Sequence, residues 1–128
     1  MGSKQILVVD DDADTVELTT RVLHGGGFRV LQALSGGDAI RRANEFHPDL
    51  ILLDIQMPEM DGWEVLKALK MDSGTIDIPV AMFSIRGEVR HRVHGIQEGA
   101  FDYIMKPFSF NELLGQVRQI FLRLKGEA

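Results

Sequence analysis

Two apolar runs in this chain end in carboxylates: Ile6-Leu7-Val8-Val9 runs into Asp10-Asp11-Asp12, and Leu50-Ile51-Leu52-Leu53 runs into Asp54. A short unbroken apolar run reads as a parallel strand buried on both faces. The carboxyl edge of an open α/β sheet is where such folds bind ligands. If the two strands are neighbours, Asp10, Asp11 and Asp54 converge. Two unit charges about 4 Å apart repel by roughly 4 kcal/mol at an effective dielectric near 20. The cluster therefore calls for a cation or a proton. Oxygen-only ligands in a partly hydrated site favour Mg2+, which keeps several waters and shares its shell with phosphoryl groups. Asp12 and Asp14 read instead as loop and helix-cap residues.

Two further strand ends carry complementary groups. The run ending at Phe83 is followed by Ser84, a hydroxyl donor, and the run ending at Ile104 leads into Met105-Lys106-Pro107-Phe108. A carboxylate, a cation site, a hydroxyl and an ammonium around one point suit a phosphoryl group carried covalently on Asp54.

Elements that would position these residues alternate along the chain. Strands are expected over 5–9, 28–33, 50–53, 78–83 and 101–104, and helices over 14–24, 37–46, 62–71, 87–98 and 110–124. Such alternation predicts an α/β fold, a parallel sheet covered on both faces with right-handed crossovers. Helix punctuation agrees. Ser109-Phe110-Asn111-Glu112 reads as a capping box and Asp61 with Glu64 as a similar acidic start. Gly25-Gly26-Gly27 reads as the stop of the first helix. In the last helix Phe110, Leu113, Leu114, Val117, Ile120, Phe121 and Leu124 fall on one apolar stripe.

The 128 residues fit one domain, with residues 1–4 expected to be flexible or a cloning remnant. The absence of cysteine excludes disulfides, Cys-ligated zinc and thiol chemistry. No apolar stretch reaches the roughly 20 residues of a membrane span. A net charge of −5 argues against nonspecific nucleic-acid binding, and the expected compartment is the cytoplasm. The histidines are poor metal or phosphohistidine candidates; His91 and His94, at i, i+3, are the nearest to a ligand pair.

Four segments together resemble the receiver domain of two-component response regulators. They are Ile6 to Asp11, the run Leu53-Asp54-Ile55-Gln56-Met57-Pro58-Glu59-Met60-Asp61-Gly62, then Ser84, then Lys106-Pro107-Phe108. Each alone is a weak signal, but four in order at receiver-like spacing are specific, and the resemblance covers essentially the whole chain as a single receiver domain. It implies a flavodoxin-like (βα)5 doubly wound sheet in the order 2-1-3-4-5. It also implies Asp54 as phosphoacceptor and Mg2+ held by Asp10, Asp11, Asp54 and the Gln56 backbone carbonyl. Ser84 and Lys106 would bind phosphoryl oxygens, Ser84 and Tyr103 would form the switch, and the Lys106-Pro107 peptide would be cis. Pro58 and Gly62 would shape the loop after Asp54.

The implied function is a phosphorylation-activated signalling switch rather than a turnover enzyme. Its donor would be a sensor histidine kinase or phosphotransfer protein. Its output would be an unknown downstream protein or a missing output domain, with no direct nucleic-acid binding and no membrane. The readout surface would be the fourth helix, fifth strand and fifth helix, near the basic cluster Arg86, Arg90, His91, Arg92 and His94. Ile85 departs from the small residue usual after the hydroxyl, and Gln56 and Arg86 occupy variable positions that tune phosphoryl lifetime in the family. One competing pattern is Asp12-Ala13-Asp14-Thr15-Val16, which matches the D-x-D-x-[TV] signature of haloacid-dehalogenase-type phosphohydrolases, although Asp12 does not directly follow the strand. A calcium loop from Asp10 fails, with Thr15 and Arg21 where glycine and glutamate are required.

Overall fold

The computed structural model describes residues 3–84, 97, 99–105 and 109–126. Among them run β1 (Gln5–Val9), α1 (Ala13–Gly25), β2 (Arg29–Ala33), α2 (Gly36–Phe46), β3 (Leu50–Asp54), α3 (Gly62–Met71), β4 (Val80–Ser84), β5 (Asp102–Met105) and a C-terminal helix (Phe110–Gly126). The expected helix over 87–98 lies almost wholly outside the described residues. The strands form one parallel sheet in the order β2-β1-β3-β4-β5, the order implied by the receiver resemblance.

Strand alternation divides the core in two. Leu7, Val9, Ile51 and Leu53 face α2 and α3, where they meet Ala39, Val65 and Leu66. Ile6, Val8, Leu50 and Leu52 face the other way, onto Leu23 of α1 and Val117 and Ile120 of the C-terminal helix. Successive strand side chains point to opposite faces, so a strand covered on both sides must be apolar at every position. That is why β1 and β3 read as unbroken hydrophobic runs.

The helix ends follow the signals in the sequence. Asp12 caps α1 by accepting from the Asp14 N–H, and it also accepts from the Thr15 hydroxyl at 2.6 Å. The turn after α1 closes through Gly26 N–H on the Val22 and Leu23 carbonyls, and Gly27 takes φ +93°, a conformation glycine adopts without steric cost. The capping boxes are both formed, Asp61 with Glu64 at the start of α3 and Ser109 with Glu112 at the start of the C-terminal helix.

Strand boundaries differ from expectation by one or two residues in four strands: β2, β4 and β5 start after Phe28, Pro79 and Phe101, and β3, β4 and β5 run on to Asp54, Ser84 and Met105. Phe28 precedes β2 because its N–H is bonded to the Leu23 carbonyl in the turn after α1, and its ring stacks on Phe121 with centroids 5.6 Å apart. Ile78 is buried but belongs to a turn, its N–H bonded to the Thr75 carbonyl, and Pro79 has no N–H to offer a ladder. Ser3 and Lys4, expected to be flexible, are held: the Arg29 guanidinium donates to the Ser3 carbonyl and the Arg29 N–H to the Lys4 carbonyl.

Leu52 is buried in the central strand between Val8 and Ala81. Leu52→Ala is expected to cost about 2–5 kcal/mol in urea unfolding. Two surface hydrogen bonds also contribute to the acid limb of stability. His47 holds the Asp77 carboxyl below its ordinary range, and the Ser109 backbone N–H does the same for Glu112. A depressed folded-state value contributes stability above the unfolded value that is lost as pH falls through the folded one. Asp77→Asn and Glu112→Gln should therefore flatten the loss of thermal stability on acidification below about pH 4, while leaving its slope near neutrality unchanged.

Candidate functional site

Asp10 and Asp54 are brought together by strand register. Val9 stands opposite Leu53, so the next residue on each of the adjacent strands is a carboxylate. Asp10 remains on the ladder through its N–H to the Ala33 carbonyl at 3.2 Å. By alternation Asp10 and Asp54 share the sheet face of Val8 and Leu52. Carboxylate oxygens of Asp10, Asp11 and Asp54 all lie within 4.8 Å of one another. Asp10 and Asp54 are 3% and 7% exposed, whereas Asp11 is open to solvent.

The first loop is fixed by its own aspartates. One Asp10 oxygen accepts the Asp12 N–H at 3.0 Å, which turns the chain from β1 towards α1. The Asp12 carboxylate is engaged by the Asp14 N–H and the Thr15 hydroxyl, so the D-x-D-x-[TV] pattern is a helix cap here. In the sequence Thr15 stands out only as a mismatch to a calcium loop; a hydroxyl three residues after a cap aspartate is the signal for its capping role.

The loop after Asp54 closes on Gly62. Its N–H donates to the Ile55 carbonyl at 2.7 Å, and a Cβ there would stand 2.2 Å from the Asp54 carbonyl oxygen and 2.7 Å from Ile55 Cα. Only glycine permits that approach. Asp61 caps α3 by accepting from the Glu64 N–H at 3.0 Å. Between the two loops lies a surface trough of about 600 Å³, with Asp11 on one side and Gln56, Pro58, Asp61 and Trp63 on the other. Gln56 follows the residue whose carbonyl Gly62 binds, and it lines the trough opposite Asp11.

On the other flank, Phe83 of β4 pairs with Asp54, which sets Ser84 one step beyond it, opposite Met105 of β5. Tyr103 occupies β5 opposite Met82. Lys106, the Lys106-Pro107 peptide, Ile85 and the basic cluster 86–94 lie outside the described residues.

The chemistry of the donor set is consistent with a hard divalent ion. Three carboxylates, two of them shielded from water, lie beside a trough open to solvent. Oxygen ligands with room for retained waters are what Mg2+ requires.

A doubly wound parallel sheet with an acidic cluster at the carboxyl edge is the architecture of a ligand-responsive α/β domain. The chain belongs to the response regulator receiver domain family, which it matches over residues 6–118. It is 44% identical over 124 residues to the transcriptional regulatory protein PrrA of Mycobacterium leprae, covering 96% of this chain and 52% of that protein. To the phosphate regulon transcriptional regulatory protein PhoB of Escherichia coli it is 43% identical over 122 residues, covering 95% of this chain and 53% of PhoB. The chain thus spans about half the length of the curated relatives it matches. Among solved structures, chemotaxis protein CheY4 of Vibrio cholerae superposes with a TM-score of 0.88 at 28% identity, covering 93% of this chain and 99% of CheY4. A CheY-like receiver domain of Methanospirillum hungatei gives 0.89 at 27% identity, with 99% and 100% covered.

Gly62→Ala should displace the strand tip. The expected result is a destabilisation of about 1–3 kcal/mol, with backbone amide shifts at Asp54 and Ile55 larger than those at β2. Unchanged shifts at the strand tip would show that the loop tolerates a Cβ.

Proposed function

We propose that this chain is a phosphorylation-activated switch in which Asp54 accepts a phosphoryl group from the phosphohistidine of a sensor histidine kinase or phosphotransfer protein. The observation that carries the reading is the meeting of three carboxylates at the ends of adjacent strands, two of them nearly buried. Family membership supplies the context.

An Asp54 carboxylate oxygen would attack the phosphorus in line. A P–O bond forms and the P–N bond breaks; the donor imidazole, already protonated on its other ring nitrogen, takes the electron pair and leaves neutral. Mg2+ held by Asp10, Asp11, Asp54 and the Gln56 carbonyl would supply charge neutralisation at the phosphoryl oxygens. Asp10 keeps its carboxylate aimed by accepting the Asp12 N–H. Ser84 and Lys106 would bind the oxygens as they gain charge. The product is an acyl phosphate, which hydrolysis returns to the carboxylate, so the domain assists its own modification without turning over an external substrate.

Phosphorylation adds charge and strong acceptors at one edge of the sheet. We assign Ser84 and Tyr103 as the residues that respond, and the surface of β5, the C-terminal helix and the segment before β5 as the readout. The whole of residues 1–128 is read as one receiver domain acting in the cytoplasm. Its output is a partner protein or further domain; with its net charge of −5 the receiver itself is a poor ligand for nucleic acid. PrrA and PhoB are transcriptional regulators about twice as long, which suits control of a separate output unit.

Incubation with Mg2+ and acetyl phosphate should add the mass of one phosphoryl group to the wild type and none to Asp54→Asn. Loss of even outer-shell partners of metal sites lowers affinity by about 10–100-fold, so Asp11→Asn should weaken Mg2+ binding at least about tenfold. Emission of Trp63, the single tryptophan and part of the adjoining trough, offers the readout. Phosphorylation that left the shifts around Tyr103 unmoved would sink the switching assignment.

A further inference from the structure

The opposite edge of the sheet carries a second concavity, of about 850 Å³, well away from the acidic cluster. Its floor is built from the residue just before each of four strands: Lys4, Phe28, Asp49 and Pro79. Its wall is the last part of the C-terminal helix, where Phe121, Leu122 and Leu124 contribute apolar surface and Arg118 and Lys125 contribute charge. From Lys4 to Asp10 the chain advances along β1 by about 20 Å at roughly 3.3 Å per residue, so the two sites are separate.

Size and lining are those of a ligand site. Small-molecule pockets run to about 300–1,000 Å³, mostly apolar with a few placed polar groups. Here the aromatic element is preformed. The Phe28 and Phe121 rings stack at 5.6 Å and 23°, and the Lys4 ammonium stands 5.9 Å from the Phe121 centroid. Leu122 is 63% exposed on this wall. Among the described lining residues the charges are unbalanced: three cations against one carboxylate, Asp49, which already accepts the Gln5 N–H at 2.8 Å. In a chain of net charge −5 this is a local reversal of sign.

We propose that this groove binds a small anionic amphiphile, a free aryl or aliphatic carboxylate, with its apolar body on Phe121 and Leu122 and its carboxylate in the combined positive field of Lys4, Arg118 and Lys125. Charge complementarity selects this occupant. A second copy docking through the same groove about a two-fold axis would bring Lys4, Arg118 and Lys125 towards their own counterparts. A neutral or cationic amphiphile would leave those cations unanswered or opposed.

The test uses the full chain with three naphthalene probes of like shape: 1-naphthoate, 1-naphthalenemethanol and 1-naphthylmethylamine. Calorimetry is expected to show saturable binding of the carboxylate, with the alcohol and amine at least about tenfold weaker. Amide shifts should centre on Phe28, Asp49 and Leu122. Arg118→Gln with Lys125→Gln, both at exposed helix positions, should weaken naphthoate about tenfold without changing the unfolding temperature. Equal binding of all three probes, undiminished binding by the double variant, or no saturable binding would overturn the proposal. So would shifts centred on Asp11 and Trp63, or a naphthoate-independent dimer that protects the groove. None of these outcomes bears on phosphorylation of Asp54, which is scored separately by mass.

Discussion

Everything at the acidic edge depends on delivering a charge out of a strand that has no polar face. All five residues of β3 are buried, and the last of them is Asp54. The strand is apolar because α1 and the C-terminal helix cover one face while α2 and α3 cover the other. The same covering that stabilises Leu50 to Leu53 removes most water from Asp54, and it does the same to Asp10 at the end of β1. Nearly buried carboxylates side by side require an opposing charge. Core packing and site electrostatics are thus a single arrangement: sealing the sheet on both sides is what shields the carboxylates at its edge from water.

Rigidity follows from short local bonds. The Asp10 carboxylate accepts an N–H two residues on, Asp12 caps α1 and receives the Thr15 hydroxyl, and Asp61 caps α3 with Glu64 returning the bond. Neighbouring aspartates of identical chemistry therefore hold different posts: Asp10 and Asp11 join the cluster with Asp54, while Asp12 starts a helix. The lower edge shows a comparable division of labour. Lys70 is partly buried, and its ammonium donates to the Ile76 and Ile78 carbonyls, tying α3 to the turn before β4. Desolvation lowers the pKa of that ammonium, which marks it as a structural clasp rather than a solvated surface charge.

Much of this was legible in the sequence because the signals were local and periodic. Unbroken apolar runs located β1 and β3, and Asp61 with Glu64 located the start of α3. The convergence of Asp10, Asp11 and Asp54 followed from strand adjacency, which the receiver resemblance implied and the register bears out. Less legible were features set by tertiary contact. Phe28 has the composition of a strand residue yet sits in the turn before β2, its ring stacked on Phe121, a partner far along the chain. Ile78 looks like strand and is turn, because the following proline cannot donate. His47 ends α2 in a left-handed conformation at φ 47°, a role usually taken by glycine, and its ring bonds Asp77 from another loop. The groove below the sheet left no motif at all, since its floor residues share only the property of preceding a strand.

The seam between Gly62 and Asp54 also governs how the chain can vary in length. Helix α3 begins directly against the strand tip, with the Ile55 carbonyl taken by the Gly62 N–H and no space for another atom beneath it. An inserted residue between 55 and 61 would have to be absorbed by lifting the helix off the strand, carrying Met60 away from its place against Gly36 of α2. The 72–79 connection at the far edge is held as firmly, by Lys70 on the Ile76 and Ile78 carbonyls and by the buried Thr75 and Ile78. One missing side chain thus fixes the size of the upper loop, and a clasp of hydrogen bonds fixes that of the lower one.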